Sequence, residues 1–145
     1  MSEGGGIKVQ EAVTEGETRA LFSVIRELRP HLSEGDFLAA ADRMRGEGYR
    51  LAGAYRVGGP VGAAGFRVFE ALYSGRQLYV DDLVVAESER SGGVGRAMLG
   101  WLEAEARRAG CAQLHLDSGV QRAEAHRFYF RERMSVTSFH FAKHL

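Results

Sequence analysis

The stretch Arg90-Ser91-Gly92-Gly93-Val94-Gly95 has residue types and spacing suited to chemistry. Its glycines open backbone angles closed to other residues and allow close approach to a ligand. A helix is expected to begin near Val94. The first N–H groups of a helix lack intrahelical acceptors, and the macrodipole adds partial positive charge there. A glycine turn opening a helix is therefore suited to an anion, above all a phosphate or pyrophosphate. Arg90 and Arg96 add charge of the right sign. The same pattern also occurs in turns that bind nothing. Two other phosphate loops fit poorly: no Gly-Lys-Ser/Thr is present, and Gly93-Val94-Gly95-Arg96-Ala97-Met98 lacks the third glycine of a dinucleotide fingerprint.

Just upstream, Asp81 and Asp82 interrupt the apolar run Leu78-Tyr79-Val80-Asp81-Asp82-Leu83-Val84-Val85. Acids inside a buried strand are costly unless paired or open to a cleft. Strand alternation puts Tyr79, Asp81, Leu83 and Val85 on one side and Val80, Asp82 and Val84 on the other. One acid is expected to face a pocket, with Asp82 read as structural.

The elements that must hold these residues can be traced along the chain. Residues 7–12 read as a first strand. Thr14 and Glu17 form a capping box, and Leu21, Val24, Ile25 and Leu28 then repeat at helical spacing until Pro30. Ser33 caps a second helix carrying Phe37, Ala40, Ala41 and Met44, ended by Gly46 and Gly48. Strands follow at 49–57, 61–69 and 78–85, joined by turns at 58–60 and 73–76. Gly62 and Gly65 suggest a bulge or close backbone approach. The helix after the glycine turn shows the stripe Val94, Ala97, Met98, Trp101 and Leu102, with Arg107, Arg108 and Gly110 suited to its C-terminus. Ala112, Leu114 and Leu116 alternate as a strand parallel to the central one. A last helix is expected over 121–133, and Val136, Phe139 and Phe141 suggest a closing β segment at 135–143.

The 145 residues suit one domain, 1–145. Lys plus Arg and Asp plus Glu are each 19, so the net charge is zero and gives no general pull toward nucleic acid or membrane. Cys111 is the lone cysteine, read as packing, so no internal disulfide can form; a cytoplasmic location is expected. No signal peptide or apolar span is seen, only a frayed-looking start at residues 2–6. His31, His115, His126, His140 and His144 show no metal-ligand spacing, and no metal is expected.

Arg90-x-x-Gly93-x-Gly95 directly after Leu83-Val84-Val85-Ala86-Glu87 resembles the acyl-CoA-binding motif of the GNAT superfamily of N-acetyltransferases. The phrase Tyr79 to Val85 is similar to the spermidine/spermine-type and histone-acetyltransferase-related branches. Ala125-His126-Arg127-Phe128-Tyr129 resembles the family's second signature, Ala-x-x-Phe-Tyr. The resemblance covers residues 49–145 well and the first third only in element order. It implies an α/β (α+β) fold: a mixed, strongly twisted sheet of about six to seven strands with helices on both faces. It also implies acetyl-CoA as cosubstrate, held by Arg90, Ser91, Gly92, Gly93, Val94, Gly95 and Arg96. The pantetheine arm would use backbone groups around Leu83, Val84 and Val85. Tyr129 would protonate the departing thiolate, and a carboxylate at Asp81 would take the amine proton, directly or through a water.

From the residues alone, Asp81 reads equally as a structural acid, His126 as a surface or packing residue and Ser118 as a helix cap. Two positions depart from the family pattern: Arg122 stands where Asn is common, and Arg133 where Gly is common, which implies a different turn after the last helix. The function so implied is acetyl transfer to a primary amine of a small molecule or a protein or peptide. Asp81, Asp82, Glu34 and Asp36 suit a cationic acceptor such as a polyamine, aminoglycoside or lysine. A homodimer is expected, through C-terminal strands. The competing readings are a non-catalytic acyl-CoA-binding module of the same fold and a nucleotide-phosphate binder of another class.

Overall fold

The computed structural model describes residues 6–145. Residues 2–5 of the expected frayed start lie outside the described residues. Residues through His115 form one compact unit and residues 116–145 a second.

In the first unit a sheet runs in the order β1 (Lys8–Ala12), β2 (Arg50–Arg56), β3 (Gly59–Ala71), β4 (Gly75–Val85) and β5 (Gln113–Leu116). The first four strands pair antiparallel. The N–H of Ala112 donates to Arg76 O at 2.8 Å, so β5 begins beside the beginning of β4. Lying along β4 from that point, it runs parallel to it, as a strand–helix–strand crossover requires. The sheet is mixed and among the described residues holds five strands, fewer than the six to seven expected.

Helices cover both faces. On one side lie α1 (Glu15–Ala20), α2 (Phe22–Leu28) and α3 (Glu34–Arg45). Leu21, Val24, Ile25, Phe37 and Ala41 form a core there with Leu51, Ala63 and Val84. On the other side α4 (Val94–Arg108) buries Val94, Met98, Leu99 and Leu102. Gly62 lets α4 come close: a Cβ there would lie 2.6 Å from Met98 Sδ and 3.0 Å from Val94 Cγ1. Trp101 packs edge-on against Phe66, ring centroids 5.8 Å apart. Glu105, an acid inside the apolar face of α4, is buried, and Arg50 of β2 reaches it at 2.6 Å while also holding Glu11 of β1.

The Thr14–Glu17 capping box forms as expected. Thr14 Oγ1 accepts from Glu17 N, and Glu17 Oε1 accepts from Thr14 N. Ser33 and Asp36 do the same for α3. The first helix is split, however. Thr18 Oγ1 donates back to Thr14 O at 2.8 Å, which competes with the helical ladder. At the break, Leu21 N and Val24 N bond three residues back. The split seats Leu21, fully buried, over the side-chain-free Gly53. At the far end of α4, Gly110 N bonds Arg107 O and Cys111 N bonds Ala106 O, the double closure of a Schellman motif with Gly110 left-handed at φ 79°.

The second unit contains α5 (Ala123–Arg131), shorter than the expected 121–133. The closing β segment at 135–143 does not form: these residues have neither helix nor strand, and Val136, Phe139 and Phe141 are exposed. Their three-then-two spacing breaks strict alternation, and a strand without a neighbour is not stable. The two departures from the family pattern lie at the two caps of α5. Arg122 is the N-cap residue and makes no side-chain cap bond. An Arg carries only donors, so it cannot accept from the first N–H groups as Asn can. At the other end Met134 N bonds Tyr129 O and Arg133 N bonds Phe130 O, another Schellman closure. Arg133 occupies its left-handed position at φ 69°. The turn is therefore of the glycine type, not a different one, with Arg holding a conformation glycine adopts without strain. Replacing Arg122→Asn and Arg133→Gly together should add about 1–2 kcal/mol to the stability of α5. Hydrogen exchange of the α5 amides should slow by about tenfold; unchanged exchange would deny the cap argument.

Candidate active site

The glycine turn is built by β4, a 3-10 turn at Glu87–Glu89 and the start of α4. Two left-handed residues, Ser91 at φ 68° and Gly93 at φ 87°, flank Gly92. Left-handed residues alternating along a turn gather N–H groups into a concave anion site. Gly93 is the N-cap of α4 and offers no side-chain acceptor, so the first N–H groups of a 15-residue helix are not capped from within. Val94 is buried and anchors the helix, while Arg90, Ser91, Gly92, Gly93 and Arg96 are exposed; Gly95 is half-buried. This arrangement fits a pyrophosphate: uncapped N–H groups, no Cβ at the closest positions and two guanidinium groups alongside.

The groups that brace this turn carry no local signal in the sequence. Arg56, at the end of β2, donates from Nε to Glu89 Oε1 at 2.8 Å and from Nη2 to Gly92 O at 3.1 Å. A Cβ on Gly92 would stand 3.2 Å from that Nη2 and 3.0 Å from Glu89 O. Glu27 of α2 accepts from Glu87 N at 2.9 Å. Arg56 and Glu89 also border an open depression of about 480 Å³ over the β2–β3 hairpin.

The acids lie at a bulge. Gly65 of β3 faces Asp82, and Phe66 faces Val80, so Asp81 has no partner in β3. The extra residue changes which side each neighbour takes. Asp82 Oδ2 is 2.7 Å from where a Gly65 Cβ would be. Arg67, two residues along on the same face, donates from Nε to Asp81 Oδ2 at 2.9 Å and from Nη2 to Asp81 Oδ1 at 3.2 Å. Both carboxylates thus lie on one side of the sheet, not on opposite sides as unbroken alternation predicts. Asp82 is held by Arg29 and by Tyr49, whose hydroxyl donates to Oδ2 at 2.8 Å. Burial first, and the Asp82 charge second, push the Tyr49 phenol far above its ordinary range. Downstream, Leu83, Val84 and Val85 face Ala64, Ala63 and Gly62, with Val84 buried and the other two half-buried.

The four acids that suggested a cationic acceptor already have partners within the fold. Asp81 and Asp82 are engaged by arginines, Glu34 pairs with Arg19 at 2.7 Å, and Asp36 serves in its capping box. Hairpin pairing of 61–69 with 78–85 brings Arg67 near Asp81 and so was accessible to sequence reasoning. Arg29, 53 residues from Asp82, had no local signal.

In the second unit Tyr129 is half-buried on α5, its ring 5.5 Å from that of Phe128. Burial raises its phenol above the ordinary value, opposed by the nearby Arg122 charge. His126 Nε2 lies 2.8 Å from Gly119 O, so that nitrogen donates and the ring ties the loop to α5. Ser118 does not cap α5; its Oγ is buried with no hydrogen-bond partner. Among the described residues no cluster of three or more His, Cys, Asp or Glu is placed to hold a metal ion.

If the turn cradles a pyrophosphate, Gly93→Asp places a carboxylate at the helix N-terminus in a strained left-handed conformation. Titration calorimetry with CoA should then show binding lost, while Arg56→Ala should weaken it by about tenfold through a loosened turn. Wild-type affinity in both variants would remove the turn from the binding site.

Residues 13–134 match the family model described as Acetyltransferase (GNAT) family, a span that includes most of both units. An aminoalkylphosphonate N-acetyltransferase of Salmonella typhimurium is 32% identical over 145 residues, covering 95% of this chain and 91% of that protein. An uncharacterized N-acetyltransferase of Bacillus subtilis, YhdJ, is 29% identical over 132 residues, covering 90% and 92%. Among solved structures, an aminoglycoside N-acetyltransferase in complex with CoA superposes with a TM-score of 0.85 at 12% identity, over 96% of this chain and 94% of that one, a likeness of fold. With the glycine turn at the head of α4 and the sheet around it, these matches make the chain a member of the GNAT acetyltransferase family, an acetyl-CoA-dependent acyltransferase.

Proposed function

We propose that residues 1–145 work as one acyltransferase domain that moves an acetyl group from acetyl-CoA directly to the primary amine of a small molecule, or of a protein or peptide. The observation that carries this reading is the uncapped α4 N-terminus with left-handed Gly93, set directly after the bulged strand that bears Asp81. Much of the rate would come from holding amine and thioester together. Backbone N–H groups of β4 around Leu83, Val84 and Val85 polarise the thioester carbonyl. Arg67 grips both oxygens of Asp81 from one side, which leaves their outer lone pairs for a water. Asp81 takes the ammonium proton through that water. Tyr129 donates its proton to the departing sulfur.

For the acceptor, two features favour an amine that carries its own anion. The curated relative acts on aminoalkylphosphonates. Beside the two acids stands the guanidinium group of Arg67, about 40% exposed, able to meet an acidic group. A panel of 2-aminoethylphosphonate, polyamines, aminoglycosides and lysine peptides, read by CoA release, tests this; turnover of polyamines alone would contradict it. The non-catalytic reading is weakened by Arg133, which keeps the glycine-type turn. Lone Cys111, unable to form an internal disulfide, suits the cytoplasm.

Tyr129→Phe should lower kcat by about a hundredfold while CoA still binds. The donor is the protonated phenol, so its loss would follow deprotonation. Burial raises the phenol, which moves that loss upward. The wild-type kcat should therefore show no downward limb from Tyr129 below about pH 10. An unchanged kcat in Tyr129→Phe would remove it from the mechanism.

We also propose a homodimer, with exposed Val136, Phe139 and Phe141 at its interface. Sedimentation should give a dimer that becomes monomeric when all three are changed to Ser; a monomer at every concentration in the wild type would refute it.

A further inference from the structure

The bulge in β4 leaves Asp81 without a partner in β3, so the ladder alone does not fix its peptide. Other groups do. Arg29, the residue that ends α2, donates from Nε and Nη2 to Asp82 Oδ1 at 3.1 and 2.9 Å. Its Nη2 also reaches Asp81 O at 3.3 Å. One guanidinium therefore grips the bulged residue's carbonyl and the next residue's carboxylate. Tyr49, just before β2 and 5% exposed, holds the second carboxylate oxygen. Its hydroxyl reaches Asp82 only by passing over β3 at Gly65. A Cβ there would lie 1.8 Å from Tyr49 Oη and 2.4 Å from Tyr49 Cζ. A buried ring cannot step aside as a flexible surface chain can.

We infer that Arg29, Tyr49 and Asp82, crossing at Gly65, form a clamp that fixes the β4 bulge, and that they are positioning residues for Asp81 and for the backbone of β4 beyond it. Asp82 is held from two separate elements, Oδ1 by Arg29 of the α2 end and Oδ2 by Tyr49 before β2. Tyr49 is not an acid, because its proton is held by burial and by the Asp82 charge. Their task is geometric. If the bulge relaxed by one residue, Asp81 would shift into register opposite Gly65, and Asp82 and every residue after it would turn over. The glycine turn, braced separately by Arg56 and Glu27, would keep its hold on CoA.

The functional half of this inference rests on the proposed acetyl transfer; the structural half does not. The test uses Tyr49→Phe, Arg29→Gln, the double variant and Arg29→Lys in the full chain. Hydrogen exchange should speed by tenfold or more at the amides of residues 80–83 in the double variant, with residues 51–54 of β2 unchanged. CoA affinity by calorimetry should stay within about twofold of wild type. With acetyl-CoA and the best acceptor from the amine panel, kcat should fall by tenfold or more at a nearly constant KM for acetyl-CoA, and Arg29→Lys should recover part of it. Wild-type protection of residues 80–83 in the double variant overturns the clamp. Lost protection with unchanged kcat overturns the positioning role. Lost protection in a protein whose wild type acetylates no amine would sustain the clamp and count against the proposed function instead.

Discussion

One extra residue in β4 decides which way everything after it faces. Before Asp81, Val80 pairs with Phe66, whose ring meets Trp101 of α4. After Asp81, Val84 joins the core under α1, α2 and α3, and Val85 faces Gly62, which lies under α4. In a regular strand Val80 and Val84 would share a face. The bulge lets one strand supply apolar residues to both cores and still bring two adjacent acids to the same side. That juxtaposition needs two arginines, and both come from other elements: Arg67 across the hairpin and Arg29 from the end of α2.

The sheet tolerates this because its crowded positions carry no side chains. Gly53 admits Leu21, Gly62 admits Met98, and Gly65 admits Tyr49. Each is a place where another element presses onto the strand, and none has a positive φ. Their value lies in absent volume, unlike Gly93, which matters for its backbone angle. In a close-packed interior even one methyl group at such a point must displace a neighbour.

Features set by neighbours in sequence were legible before the structure. The capping box at Thr14, the cap at Ser33, the glycine turn, the apolar stripe of α4 and Gly110 after it each depend on spacings of a few residues. What was missed depends on contacts distant in sequence. Gly62 and Gly65 hinted at a bulge, yet the extra residue lies opposite them in β4, and period-two counting placed the acids on opposite faces. Arg29 is separated from Asp82 by 53 positions. Nothing in its local sequence marked Glu105 as buried, where Arg50 of β2 and Arg108 of its own helix hold it. The closing segment looked like strand by composition, but pairing, not composition, makes a strand. Tyr129 and Asp81 as a chemical pair were suggested by family resemblance alone.

The zero net charge conceals a division between two kinds of arginine. Arg29, Arg50, Arg56 and Arg67 are committed to carboxylates within the fold, mostly half-buried and several of them bidentate. Such pairs set geometry and are little affected by salt. Arg90 and Arg96 are exposed at the glycine turn and make no ion pair among the described residues. Their charge, with the α4 dipole, remains available to an arriving anion, and it is screened over about 10 Å at ordinary ionic strength. On the proposed reading, the attraction of CoA and the alignment of the reacting groups rest on separate electrostatic systems. Salt should weaken the first and leave the second intact, because a cradle for a soluble polyanion must release its ligand, whereas a clamped bulge must not move.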